Sequence, residues 1–173
     1  MNQKAIKMSP ITDMEPMITL DPEVLLALPG SLVLEPDTVH VWAFTLDGSA
    51  ALREACRDVL SPAERQRADR FVFAHDRTHH TIAHGVLRHL LSRYCGIAPR
   101  SLRFETTASG KPSLQEHAQE RDARARPSAA SSSSLQFNLT HSEDRALLAV
   151  SYGRELGIDL ERVRSRSIPS SRP

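Results

Sequence analysis

Six apolar residues in the stretch 75–95, Ile82, Val86, Leu87, Leu90, Leu91 and Tyr94, recur at helical spacing and share one face. The spacing predicts one long helix, and Gly96 suits the left-handed residue that ends it. A helix with a single apolar stripe needs another layer to cover that stripe. Just upstream, Ser61-Pro62-Ala63-Glu64 reads as a helix start: a serine N-cap, proline at the first helical position and glutamate at the capping-box position. That helix is expected to run to about Phe73, and an earlier one over 49–60 places Leu52, Cys56, Val59 and Leu60 on one face.

The covering layer is expected from short apolar runs bounded by turn residues. VHVWAFTL (39–46) is rich in β-branched and aromatic residues, and Asp47-Gly48 ends it. A strand is expected over 101–106, followed by a Ser109-Gly110 turn. LQFNLT (135–140), RALLAVSY (145–152) and LGIDLE (156–161) read as three further strands. The class is therefore α+β: one strand, a helical block, then a cluster of strands.

Residues 1–38, punctuated by five prolines, read as a partly disordered leader with one short helix over 22–28. The stretch 115–134 is rich in Arg, Glu, Ala and Ser and reads as a disordered insertion. The tail 162–173 has almost nothing to bury and reads as disordered too. The expected folded unit is 39–161.

A chain of 173 residues fits one ordinary domain. The formal net charge of +1 gives no bulk electrostatic case for nucleic acid, and no nucleic-acid-binding motif occurs. Cys56 and Cys95 match no metal or redox spacing, so a reducing compartment is expected. No apolar run approaches a membrane span, and no secretory signal is visible. The expected location is cytoplasmic.

Four features bear on chemistry. In a strand, Asp159 and Glu161 project to one face while Ile158 and Leu160 face the core. Two such carboxylates suit Mg²⁺, which takes one or two protein carboxylates and fills the remaining positions with water and phosphate oxygens. Two surface acids at a strand end are the competing reading. Second, Asn138, Thr140, His141 and Ser142 gather where a strand is expected to end, and such groups bind phosphate or form a turn. Third, Gly110-Lys111-Pro112 is a turn with a lysine, and Pro112 rules out a Walker A loop. Fourth, His75 with His79, and His80 with His84, stand at i, i+4 spacing, competent for zinc but without an HExxH pattern. No GxSxG or reactive cysteine setting points to a nucleophile.

Taken in order, LSPAERQRADRF (60–71), Asp76-Arg77, VLRHLLSRY (86–94), GKP (110–112), FNLTHS (137–142) and GIDLE (157–161) resemble the 4′-phosphopantetheinyl transferases, above all the surfactin-synthetase-activating type. The resemblance covers about 39–161. It implies the first half of a pseudo-twofold fold, with a small mixed sheet packed by a long helix. It also implies Mg²⁺-dependent transfer of the phosphopantetheine arm of coenzyme A to a serine of an apo acyl or peptidyl carrier protein, releasing 3′,5′-ADP. On that resemblance Asp159 and Glu161 are the metal-binding carboxylates. Arg67, Lys111, Asn138, Thr140 and His141 are the coenzyme A contacts. Thr140 stands where many relatives have serine, and Glu64 replaces a basic residue of some relatives.

The family also carries a later W-x-x-K-E-[AS] helix that supplies the catalytic glutamate. The single tryptophan here is Trp42, in the first expected strand. The chain is therefore expected to be a truncated N-terminal portion with impaired transfer, no catalytic residue of its own, and apolar surface that drives self-association. A non-catalytic fragment that binds coenzyme A or a carrier protein is the alternative.

Overall fold

The computed structural model describes residues 19–28, 30–35, 37–107, 110–115 and 135–162. The expected insertion lies almost wholly outside the described residues, as do 1–18 and 163–173.

The elements run α1 (Pro22–Ala27), β1 (His40–Thr45), α2 (Ala50–Val59), α3 (Pro62–Asp69), α4 (Ala74–Cys95), a 3₁₀ turn (Pro99–Ser101), β2 (Phe104–Thr106), β3 (Pro112–Leu114), β4 (Leu135–Ser142) and β5 (Arg145–Tyr152). The mixed α+β class expected from the sequence is the one observed. β1, β5 and β4 form an antiparallel sheet in that spatial order, and β2 pairs with β3 in a separate hairpin. Leu20 adds one parallel bridge to Phe44 on the outer edge of β1.

α4 is the long helix, and all six residues of its predicted stripe are buried. They pack with Phe44, Phe137, Leu148 and Val150 from the three sheet strands. Gly96 ends the helix at φ 72°, a left-handed conformation that glycine adopts without a Cβ penalty. Near this end Tyr94 Oη accepts from Trp42 Nε1 (2.9 Å) and shares a hydrogen bond with His40 Nδ1 (2.8 Å), fastening α4 to β1. Burial, offset in part by the Trp42 bond, pushes the Tyr94 hydroxyl up to about 12. On its other side α4 meets α2 at Gly85. A Cβ added there would lie 2.3 Å from Cys56 Cβ and 2.7 Å from Cys56 Cα, so only glycine permits this approach.

β5 is the central strand, and Ala146 to Ser151 are all buried. Its run ALLAV is apolar without alternation because both of its faces are covered.

Four local outcomes differ from the sequence reading. α3 stops at Asp69 rather than near Phe73, because Arg70 and Phe71 turn their N–H groups back to Arg67 and Ala68. The strand expected from 101 starts only at Phe104, since the 3₁₀ turn occupies the preceding residues. Residues 19–28 and 30–35, inside the expected leader, contribute to the packing: Leu25 and Leu34 are buried in the core. Finally, 156–161 is not a strand. The predicted alternation survives as burial, with Leu156, Ile158 and Leu160 half-buried and Gly157, Asp159 and Glu161 exposed. The segment is held by side-chain contacts instead. Lys111 Nζ donates to Leu156 O, Thr140 donates to Asp159, and Arg162 pairs with Glu143.

Candidate functional site

The residues singled out from the sequence gather around the far end of β4, an edge strand of the three-stranded sheet. Successive residues of a strand project to opposite faces. Phe137 and Leu139 face the helical core, which puts Asn138 and Thr140 on the other face and His141 on the helix side. The strand-exit group is thus split about the edge of the sheet rather than clustered on one side. A ligand that touches all three must lie over that edge.

On the outer face Thr140 Oγ1 donates to Asp159 Oδ1 at 3.4 Å. The same oxygen accepts the Leu160 N–H at 2.9 Å, a turn-type bond that fixes the carboxylate. Asp159 and Glu161 are both exposed. Among the described residues no group of three or more His, Cys, Asp or Glu side chains is placed to hold a metal. Asp159 and Glu161 would offer hard oxygen ligands of the kind Mg²⁺ takes.

Lys111 reaches this segment from the β2–β3 hairpin. Gly110 takes φ +80° there, and the Lys111 N–H donates to Thr107 Oγ1 (3.1 Å) while its carbonyl accepts from Thr107 N (2.9 Å). The tight turn presents the half-buried lysine toward Leu156. An ammonium has three donors, so one bond to a carbonyl leaves two for a ligand oxygen.

On the helix side His141 meets the histidines of α4. Partial burial lowers the His141 pKa, and the nearby charges of His84 and His79 lower it further. His79 Nε2 is 3.6 Å from Asp47 Oδ1. The His80 and His84 rings are 4.2 Å apart, and the His80 ring is 5.4 Å from that of Phe71. Burial first, then the charges of His84 and Arg67, depress His80 to about 4, so it is neutral at physiological pH. Arg67, exposed in the last turn of α3, therefore belongs to the helix-side group and not to the Thr140–Asp159 side.

Glu64 organises this side. Its Oε2 accepts from Ser61 N (2.7 Å), closing the capping box, and from Arg88 Nε (2.9 Å) and Nη2 (2.8 Å). Its Oε1 lies 3.6 Å from His84 Nδ1. Burial raises the carboxyl, but the bonds from His84, Ser61 and Arg88 outweigh it and bring it down to about 2. Arg88, 1% exposed, gives its Nη1 donors to Pro99 O and Leu102 O and lies over the Phe104 ring. The acid at position 64 is therefore directed inward to a buried arginine and contributes no phosphate contact. Sequence reading identified Glu64 as a cap and as the replacement of a basic residue, and missed Arg88, which sits on the predicted core helix 24 residues away.

The family model for the 4′-phosphopantetheinyl transferase N-terminal region matches residues 49–153. The chain is 37% identical over 139 residues to the 4′-phosphopantetheinyl transferase HetI of Nostoc sp., an alignment covering 80% of this chain and 54% of that protein. It is 30% identical over 123 residues to the L-aminoadipate-semialdehyde dehydrogenase-phosphopantetheinyl transferase of Homo sapiens, covering 69% of this chain and 36% of that one. The chain thus spans about half the length, or less, of the curated relatives it matches.

Proposed function

Because the chain belongs to the 4′-phosphopantetheinyl transferase family, we propose that it supplies the N-terminal part of a site of the surfactin-synthetase-activating type. That site moves the 4′-phosphopantetheine arm of coenzyme A onto a serine of an apo acyl or peptidyl carrier protein, in the cytoplasm. The observation that carries the reading is the gathering of Lys111, the Thr140–Asp159 contact and His141 about the end of one edge strand.

In this reading Asp159 and Glu161 hold Mg²⁺, with Thr140 fixing the Asp159 carboxylate. Bound there, the ion would neutralise pyrophosphate oxygens. Lys111 adds a second positive charge from the hairpin, and its link to Leu156 keeps the carboxylate-bearing segment beside it. Arg67 and His141 serve the nucleotide end from the helix side, while Asn138 offers an amide on the outer face. Together these groups orient and screen a polyanionic substrate, which is the main work the protein does in such a transfer.

The share of its relatives' length that the chain spans supports a second reading, a fragment that binds coenzyme A or a carrier protein without completing the transfer. In either reading the half-exposed Val39 and Val41 beside β5 offer apolar surface for self-association. The test is to incubate the chain with coenzyme A, Mg²⁺ and an apo carrier protein, and to follow carrier mass alongside calorimetry of coenzyme A binding. We expect binding with little or no transfer. Transfer at ordinary enzymatic rates would overturn the claim of impairment, and a folded chain that ignores millimolar coenzyme A would overturn both readings.

A further inference from the structure

A cleft of about 400 Å³ opens at the C-terminal end of α4, a volume in the range of small-molecule sites. Gly30 and Ser31 border it from the N-terminal segment, and Ile97, Ala98 and Pro99 give it apolar surface. A Cβ added to Gly30 or Gly96 would meet nothing within 4 Å, so the backbone at both borders faces open space. His89 and Arg93, four residues apart on α4 and so on one face, line the same cleft.

Both residues carry an unused nitrogen. Arg93 Nη1 donates to Gly30 O (3.2 Å) and Nη2 to Leu26 O (2.7 Å), while its Nε is buried and has no hydrogen-bond partner among the described residues. His89 Nε2 is in the same condition. Of the three side-chain nitrogens so left among the described residues, two therefore belong to one cleft. The Arg93 guanidinium is always charged, and it is met here by carbonyl oxygens rather than by a carboxylate. Burial first, then the Arg93 charge, lowers the His89 pKa, so this imidazole is neutral and its one proton is free to sit on Nε2. The cleft thus offers one fixed positive charge, two N–H donors and an apolar surface. A single charge beside a histidine that resists protonation suits a monoanion better than a phosphate dianion.

We propose that this cleft binds a small monocarboxylic acid, its carboxylate on Arg93 Nε and His89 Nε2 and its hydrocarbon chain against Ile97 and Pro99. Both nitrogens lie under the cleft surface, so binding is coupled to a turn of the His89 ring toward the ligand. A buried N–H without a partner is destabilising, and the bonds gained replace none that the protein already makes. The site shares no residue with the group around the end of β4 and does not rest on the function proposed for it.

The test is a two-dimensional amide NMR titration with hexanoate, with its uncharged isostere hexanamide, and with the blocked peptide acetyl-Leu-Glu-Leu-amide. We expect hexanoate to give saturable shifts at Ser31, Ser92 and Ile97, and hexanamide to bind there about tenfold more weakly. In His89→Leu the preference for hexanoate over hexanamide should shrink several-fold, while stability in urea is kept or raised, because the substitution removes an unpartnered nitrogen. No shifts at these residues with millimolar hexanoate, or equal binding of the amide, would overturn the proposal. So would a His89→Leu chain that loses stability but keeps the full preference, since His89 would then be structural. Tighter binding of the peptide than of hexanoate would overturn the small-acid assignment in favour of an acidic protein segment.

Discussion

Glu64 and Arg88 form a doubly bonded pair in which Arg88 Nε and Nη2 both donate to one carboxylate oxygen, at 2.9 and 2.8 Å. The pair joins the start of α3 to the middle of α4. Through Pro99 O and Leu102 O, Arg88 also holds the chain leading into β2. Removing one partner of a buried pair leaves the other charge uncompensated, which typically costs about 3–5 kcal/mol. Arg88→Ala should lose stability of that size in urea unfolding. A loss under about 1 kcal/mol would mean that the pair is not the clamp described here.

Acid should destabilise the fold in two successive windows of the same sign. His80 is held at about 4 in the folded chain against an ordinary 6.5, so between those values the unfolded chain takes up a proton that the folded chain refuses. Stability falls as pH drops through that range, with His89 and His141, both lowered chiefly by burial, acting in the same direction. Glu64 is depressed to about 2 from an ordinary 4.5, so its contribution is complete above 4.5 and is lost on the way down to about 2. Unfolding free energies from pH 7 to 2.5 should decline throughout, and His80→Asn should flatten the upper part. An unchanged slope in that variant would be the wrong result.

Gly85 lets α2 lie directly on α4. A methyl group there must displace Cys56 Cα as well as its side chain. Gly85→Ala should cost about 1–3 kcal/mol as an overpacked core, even though alanine is the better helix former. A thermal melt unchanged or raised by the substitution would contradict the close approach.

Lys111 should matter for ligand and little for folding, since it is only half-buried and makes its side-chain bond to one carbonyl. Lys111→Ala is expected to weaken coenzyme A binding about tenfold or more, the loss of one charge-assisted bond to phosphate. Thr140→Val, which removes the donor to Asp159, should weaken binding mainly when Mg²⁺ is present. Equal affinity in both variants, by calorimetry with and without Mg²⁺, would show that these side chains do not face the ligand.

Periodicity alone made much of this fold readable. The stripe on α4, the capping box at Ser61 and the apolar runs of β1, β4 and β5 are local signals, and each element formed where its signal lay. The segment 156–161 shows the limit of such a signal. Its alternation predicted which residues are exposed, yet no ladder forms, because strand pairing depends on a neighbour that a local pattern cannot name. The same limit hid the inward role of Glu64, whose partner Arg88 is 24 residues away and off the predicted apolar stripe of α4. Lys111, Thr140, His141 and Asp159 could be picked out by motif order. That Thr140 and His141 flank opposite faces of an edge strand is a property of β4 and its register with β5.

The central claim is that nucleotide and metal meet this chain at the edge of β4. The most direct measurement is a two-dimensional amide NMR titration of the chain with coenzyme A and Mg²⁺. The account predicts shifts concentrated at Lys111, Asn138 to His141 and Asp159 to Glu161, with a further shift at Arg67. Shifts confined instead to the cleft at the other end of α4, lined by Gly30, His89 and Arg93, or spread without focus at saturating ligand, would contradict it.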